Sequence, residues 1–454
     1  MRALTLKELN FKTGINIVRL APNSNSAEIE FITNGKGNIL IVLQKDGKTI
    51  PAEYSFVNSN TLKISGLENG VLYTVFLKDG ELVSPVRLFC CGYVPGTVVN
   101  YIHPDDFTYN ISGRSPATPC IIRLSDGKLL ASHDVYWCDG GQNLTLIFAS
   151  EDNGTTWHYR SYVFPCFWGK LFEYRGKVYI IGVSYEYGTL QIFSSVDEGK
   201  NWSKPCEILP AGNKYIGGPH KSAMPVIECN GRLWTGIDYG SWDIGGHATG
   251  AVSVGIDDDL MNPGSWISTG FLKYDSNWDG AVKGKSSGFL EGNIVELPDG
   301  ELYNIIRYQT NECIPEYGKA GVLRYDKNNP SAMPEFYKII DFEGNLSKFT
   351  VLKNPKNNKY YSLVNRVISK NIGQRNVLSL MESENGIDWK LKRDILNFQD
   401  NGWHEDFTKA AFQYIDFIFD DDDIFFLSRT ALNNAYSFHN ANYITFHRII
   451  SFTK

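Results

Sequence analysis

The sequence has no apolar run approaching the ~18 residues of a membrane span, so no membrane partner is expected. It carries no excess of positive charge. Its 44 Lys and Arg stand against 50 Asp and Glu, a formal net charge of −6, which argues against a general nucleic-acid binder with a basic face. Its eight cysteines contain no CxxC pair and no zinc-finger spacing, so no metal site is read from them. Several lie in apolar strand-like runs such as Pro119-Cys120-Ile121-Ile122, and buried free thiols are expected. The first residues, Met1-Arg2-Ala3-Leu4-Thr5-Leu6-Lys7-Glu8-Leu9, lack the apolar stretch of a secretory leader. The expected location is therefore cytoplasmic.

Rings and glycines are plentiful instead. With 25 Tyr, 26 Phe, 10 Trp and 42 Gly, the composition suits short strands joined by tight turns. Residues 1–95 read as a small β-sandwich. Ala27-Glu28-Ile29-Glu30-Phe31 alternates, and Asp46-Gly47 and Asp79-Gly80 mark hairpin turns. The stretch from Leu62 to Val75 resembles the corner of fibronectin type III domains, where a Tyr hydroxyl clamps the backbone. Tyr73 is the residue in that place. Residues 96–104, between Pro95-Gly96 and His103-Pro104, read as a linker.

From 105 to 454 one unit recurs: an apolar strand, a short turn centred on Gly, Asp or Asn, and a second apolar strand. The turns lie at Leu124 to Leu130, Tyr174 to Tyr179, Cys229 to Trp234, Leu297 to Tyr303, Asn357 to Tyr361, and Phe419 to Phe425. Six hairpins at roughly 50 to 70 residues apart have the period of propeller blades. Stacking them radially would bury apolar faces that no single unit can cover. The fold class is all-β: a six-bladed β-propeller preceded by a small β-sandwich domain.

A second repeat falls between the hairpins. Ser150 to Trp157 has the form S-x-D-x-G-x-x-W, Ser195 to Trp202 repeats it, and Ser383 to Trp389 is one residue shorter. In such a turn the Asp ties down amides, the Gly takes positive φ and the Trp packs between blades. This resembles the Asp box of the sialidase (neuraminidase) superfamily. The resemblance covers the propeller part of the chain and implies a glycosidase acting on an acidic sugar.

In that superfamily three arginines from different blades hold the substrate carboxylate, a task suited to a planar guanidinium fork. The matching residues are Arg114 in Gly113-Arg114-Ser115-Pro116, Arg307 after the fourth hairpin, and Arg375 before the late box. The superfamily also pairs a Tyr nucleophile with a Glu, because a phenol with pKa near 10 needs a carboxylate to take its proton. Glu291 and Tyr414 stand in these places. Tyr414 is one residue out of register on its strand, so its side chain needs a bulge to reach the site face. The acid/base Asp belongs after the first hairpin, where Asp134 and Asp139 are both available. Ser115 and Gly292 depart from the superfamily's usual apolar residue and Pro, which leaves the identity of the acidic sugar open.

Three histidines, His133, His220 and His247, do not belong to that pattern; His220 and His247 lie on Gly-rich loops, with Trp242 close by. They are candidate sugar contacts or bases, and Trp242, Trp168 and Trp278 are candidate ring platforms. Three readings follow. The first is a retaining hydrolase of a terminal acidic sugar, such as sialic acid, with no metal or organic cofactor implied. The second is a lyase or hydrolase working on uronate-bearing glycans through His and Tyr. The third is a glycan-binding propeller without catalysis. In each, the partner is a glycan or oligosaccharide.

Overall fold

Turn chemistry sets the hairpins. Asp46-Gly47, Arg175-Gly176 and Asn230-Gly231 each take positive φ at both positions, as the tightest two-residue turns require. The computed structural model describes residues 14–138, 140–284, 286–310, 318–344, 346–371, 373–400, 402–403 and 408–453. Among them there is no α-helix, only two 3-10 turns, Trp242–Ile244 and Pro263–Ser265.

The N-terminal part is a sandwich of two sheets. One holds Ile15–Pro22, Ala27–Thr33, Thr61–Ser65 and Glu53–Asn58 in that order. The other runs Lys48–Ile50, Ile39–Lys45 and Leu72–Asp79, with Leu82–Val83 and Arg87–Cys90 both pairing the last. Ile29, Phe31, Leu62 and Ile64 of the first sheet share a core with Leu43, Tyr73, Val75 and Leu77 of the second. The Tyr73 hydroxyl accepts from the Glu68 amide at 2.9 Å, so the expected corner clamp is formed.

Six antiparallel sheets follow as blades. Blade one is Ser115–Arg123, Leu129–Tyr136, Leu144–Ser150 and His158–Val163. Blade two is Phe167–Tyr174, Lys177–Val183, Leu190–Ser195 and Cys206–Leu209. Blade three has a broken inner strand, Gly218–His220 and Val226–Cys229, then Arg232–Ser241, Gly246–Gly255 and two short outer pieces. Blade four is Gly288–Glu296, Leu302–Gln309, Lys319–Tyr325 and Glu335–Asp341. Blade five is Thr350–Lys353, Tyr360–Asn365, Val377–Ser383 and Trp389–Asn397. Blade six is Ala411–Asp420, Asp423–Ala431, Tyr443–Ile449 and Thr97–Tyr101. Each of the six hairpins read from the sequence joins the first and second strands of a blade.

The last strand of blade six corrects the reading of residues 96–104 as a linker. Thr97–Tyr101 pairs with Tyr443–Ile449 and closes the ring. The sandwich is fastened to this strand: Arg19 donates to the carbonyls of Val99 (2.8 Å) and Val98 (3.0 Å). A buried ion pair, Arg87 with Asp106 at 2.5 Å, ties it further. One hydrophobic core accordingly runs from Ile29 and Tyr73 through Val98 and Tyr101 to Phe412 and Tyr443.

The S-x-D-x-G-x-x-W turns connect third and fourth strands. Asp152 accepts from the Thr156 amide (2.8 Å) and hydroxyl (2.6 Å), Ser150 Oγ accepts from the Gly154 amide, and Gly154 has φ +83°. Trp157 is fully buried with its ring 5.5 Å from Phe446 of blade six. Asp197 repeats the bonds with Asn201. All described cysteines are free, and all but Cys138 are buried.

Candidate active site

In four blades the innermost strand bulges near its start. The register shifts fall at Ala117/Cys120, Phe167/Lys170, Leu290/Gly292 and Gln413/Asp416. The extra residue in each, Thr118, Trp168, Glu291 and Tyr414, takes positive φ, from 42° to 60°. A non-Gly residue held there costs about 1–3 kcal/mol, strain that collects at functional sites. All four line a cavity of about 560 Å³ where the inner strands begin. The bulge turns Tyr414 onto the site face, which resolves its register misfit in the sequence.

Tyr414 is ringed by guanidinium groups. Arg307 Nη1 lies 3.4 Å from its hydroxyl. The guanidinium carbons of Arg429 and Arg375 lie 4.8 Å and 5.7 Å from its ring centre. Arg307 also binds Glu291 Oε2 at 2.5 Å and Gln309 Oε1 at 2.6 Å. Arg375 donates to Gln413 Oε1 (2.6 Å) and the Leu346 carbonyl (2.7 Å). Arg429 donates to Tyr136 Oη (2.5 Å) and to the His439 carbonyl. The Nε atoms of Arg375 and Arg429 are buried with no partner among the described residues. Burial lowers Arg375 to about 10, and Arg307 and Arg429 add to this against Tyr414. Three cations facing one close carboxylate make a floor that favours a small anion.

The third cation is Arg429, not Arg114. Arg114 lies outside the cavity lining, with its guanidinium 4.4 Å from the Phe107 ring centre and 5.4 Å from that of Trp137, beside Cys138. It backs Trp137, which does line the cavity. Arg429 has a structural counterpart in Arg307. In blade four Arg307 pairs with Leu290, next to Glu291; in blade six Arg429 pairs with Gln413, next to Tyr414.

The same position in blades one and three carries an acid. Asp134 pairs with Ala117, and Asp238 with His220. Each acid holds the bulge amide of the next blade: Asp134 accepts from Trp168 N (2.9 Å) and Asp238 from Glu291 N (2.7 Å). Burial raises both to about 7. Asp134 also accepts from Thr145 Oγ1 at 2.6 Å, is fully buried and does not line the cavity. Its place as catalytic acid is therefore not supported by its surroundings; it fixes the strand carrying Trp168. Asp139 lies outside the described residues.

Glu291 is buried in the cavity wall. Burial pushes its pKa up, but the Arg307 guanidinium beside it outweighs that, so it lies below the usual carboxylate range and is ionised. His220 lines the cavity 3.6 Å (Nδ1) from Asp238 Oδ2, and burial lowers it to about 4, leaving a neutral imidazole. His247 stands behind it, ring centres 4.3 Å apart, with Trp242 edge-on at 5.1 Å. Trp242 and Trp168 line the cavity, whereas Trp278 packs in the core on Phe336. His133 is a core residue, bonded to Asn100 and stacked on Phe148, away from the cavity. Glu186, Gln142, Gln309, His439 and Asn440 complete the lining and were not singled out from the sequence. Glu186, Gln142, His439 and Asn440 reach it from loops and Gln309 from the end of the strand Leu302–Gln309, none of them within a local motif. Among the described residues no three His, Cys, Asp or Glu side chains converge on a metal position. A cleft of about 630 Å³ between the sandwich and blades one and two is larger, but no carboxyl group lines it.

No protein-family model and no curated protein matches the chain. Solved structures do. A Hadza microbial sialidase aligns over 98% of this chain and 98% of its own, with TM-score 0.54 and 12% identity. A leech intramolecular trans-sialidase aligns over 97% and 92%, TM-score 0.50, 10% identity. An α-L-arabinofuranosidase of Fusarium graminearum aligns over 78% and 97%, TM-score 0.53, 14% identity. The fold is that of the sialidase-type propeller. At these identities the likeness is one of fold, shared by propeller enzymes that act on different sugars.

Proposed function

We propose that the chain is a glycoside hydrolase that removes a terminal carboxylated sugar from a glycan. The observation that carries this reading is the set Arg307, Arg375 and Arg429 surrounding Tyr414. The arginines would take the sugar carboxylate. Tyr414 would attack the anomeric carbon, its proton passing to the ionised Glu291, and the resulting aryl glycoside would be hydrolysed with net retention. A phenol suits this attack because an anionic nucleophile would be repelled by the substrate's own carboxylate. The reaction as written needs no metal or organic cofactor. The turns of Asp-box form and the sandwich are scaffold; the turns lie at the opposite ends of the strands from the cavity.

One observation favours a second reading. The neutral His220 in the cavity wall, close enough to Glu291 and Arg307 to feel both charges, is suited to abstract a proton next to a clamped uronate carboxylate. That would make the enzyme a lyase. A panel of 4-nitrophenyl and oligosaccharide glycosides of sialic acid, its deaminated analogue and uronic acids separates the two. Release of the free acidic sugar supports hydrolysis. An unsaturated product lighter by one water identifies a lyase, and binding without turnover would sink both.

A further inference from the structure

We propose that Glu186 is the general acid and base of this cavity, giving its proton to the departing glycosidic oxygen and later taking one from water. This rests on the hydrolase reading above. Only two carboxyl groups line the cavity among the described residues, Glu186 and Glu291. Glu291 is committed to Arg307 at 2.5 Å and is ionised, so it has no proton to give. Glu186 has a different setting. Its Oε2 accepts from the neutral Gln142 amide at 2.7 Å, and no ion pair reaches it among the described residues.

Position supports the role. Glu186 sits on the loop between Lys177–Val183 and Leu190–Ser195 of blade two, while Arg307, Arg375 and Tyr414 come from blades four, five and six. Glu186 and Tyr414 thus enter one cavity from different blades, two and six, with blade one between them, so a sugar held by the arginines can meet a proton donor and a nucleophile on separate walls. The loop is held at both ends. Ser184 N donates to the Thr189 carbonyl, Thr189 N to Ser184 Oγ, and Gly212 N to the Tyr187 carbonyl. A fixed loop keeps a proton donor in place. The groups acting on the Glu186 charge are Gln142, Asp243 and Lys214. Burial raises its pKa and Asp243 adds to this, against Gln142 and Lys214, so it holds its proton to higher pH than an exposed Glu.

The step balances. The Tyr414 oxygen forms a bond to the anomeric carbon as the bond to the leaving oxygen breaks. The phenol proton goes to Glu291 and the Glu186 proton to the leaving oxygen. Water then attacks the anomeric carbon as the bond from that carbon to the Tyr414 oxygen breaks; the water's proton goes to Glu186, and the released Tyr414 oxygen regains its proton from Glu291.

The test compares two leaving groups on the same acidic sugar, 4-nitrophenol and a plain sugar alcohol. A nitrophenolate departs without protonation; a sugar alkoxide does not. Glu186→Gln, which preserves shape, should lower kcat/KM about 10²–10⁴-fold on the sugar glycoside and less than about tenfold on the nitrophenyl one. The alkaline limb of the pH profile should disappear. Glu186→Ala with sodium azide should yield the glycosyl azide of retained configuration. Equal losses on both substrates, or no loss, would overturn the assignment, as would an Asp139→Asn variant showing the leaving-group selectivity in place of Glu186→Gln. A wild-type chain that cleaves neither substrate defeats the hydrolase reading itself, and the acid with it.

Discussion

Arg307 and Glu291 form a buried ion pair of 2.5 Å, and the same Nη1 reaches the Tyr414 hydroxyl at 3.4 Å. One guanidinium is shared between Tyr414, the proposed nucleophile, and the carboxylate that would take its proton. Tyr414→Phe removes only the phenol oxygen, so stability should change by no more than about 1–2 kcal/mol while kcat falls by orders of magnitude. Glu291→Gln should lose activity comparably. The double variant should be scarcely worse than either single, because the residues act as one unit. Steady-state kinetics on an active glycoside decide it: near-full activity in Tyr414→Phe excludes this nucleophile.

The arginines divide by position. Arg429→Met should raise KM for a carboxylated glycoside at least tenfold, since the guanidinium borders the Tyr414 ring and faces the cavity. Arg114→Ala should change KM less than about fivefold, because it reaches the site only through Trp137. If Arg114→Ala proves the worse of the two, the clamp is wrongly composed.

These contrasts show what the sequence could express. The six hairpins were legible because turn chemistry is local: Asn230-Gly231 demands the same turn wherever it stands. The register misfit at Tyr414 was legible too, and the bulge it would need is present. Arg429 was not, because its place follows from pairing with Gln413 across a hairpin, not from a motif around it. Arg114 fits its motif yet stacks on Phe107, since ring contacts outside the cavity hold its side chain there. Asp134 looked like a strand-end acid because burial does not show in the chain order. The linker reading failed for a similar reason: Thr97–Tyr101 finds its partner strand at the far end of the chain.

Asp134→Asn discriminates between a clamp and a catalytic acid. An Asn oxygen can still accept from Trp168 N, so a clamp should survive with activity within about threefold of wild type and a stability change near 1 kcal/mol. A catalytic acid would instead lose about 10²-fold or more. Leaving-group-dependent loss in Asp134→Asn would restore it as the acid.

Truncation tests the closure of the ring. A chain starting at residue 95 keeps Thr97–Tyr101 on Tyr443–Ile449; one starting at residue 105 leaves that edge unpaired. Both lose Arg87, whose removal strips Asp106 of its buried partner, a loss that costs about 3–5 kcal/mol where the charge stays buried. The shorter chain should therefore be the more aggregation-prone and melt at lower temperature. Equal solubility and equal melting of the two, followed by circular dichroism, would show that this strand is dispensable.

Stability should fall as the pH drops from about 6.5 towards 4. Burial lowers His133 and His220 to about 4 and His247 and His447 to about 3. Their folded values lie below the unfolded value near 6.5, so the unfolded chain binds more protons in this window and acid favours it. Asp134 and Asp238, raised to about 7, act with the opposite sign: their contribution is full below about pH 4 and lost as pH rises through 7. His103 and His439 are lowered as well and Glu186 is raised; the lowered imidazoles outnumber the raised carboxyls and prevail. Each net proton taken up on unfolding gives a slope of about 1.4 kcal/mol per pH unit. Urea unfolding at pH 6.5 and pH 5 measures it. Asp134→Asn should steepen the slope, because it removes one of the opposing carboxyls. A chain as stable at pH 5 as at 6.5 would mean that these imidazoles are protonated in the fold.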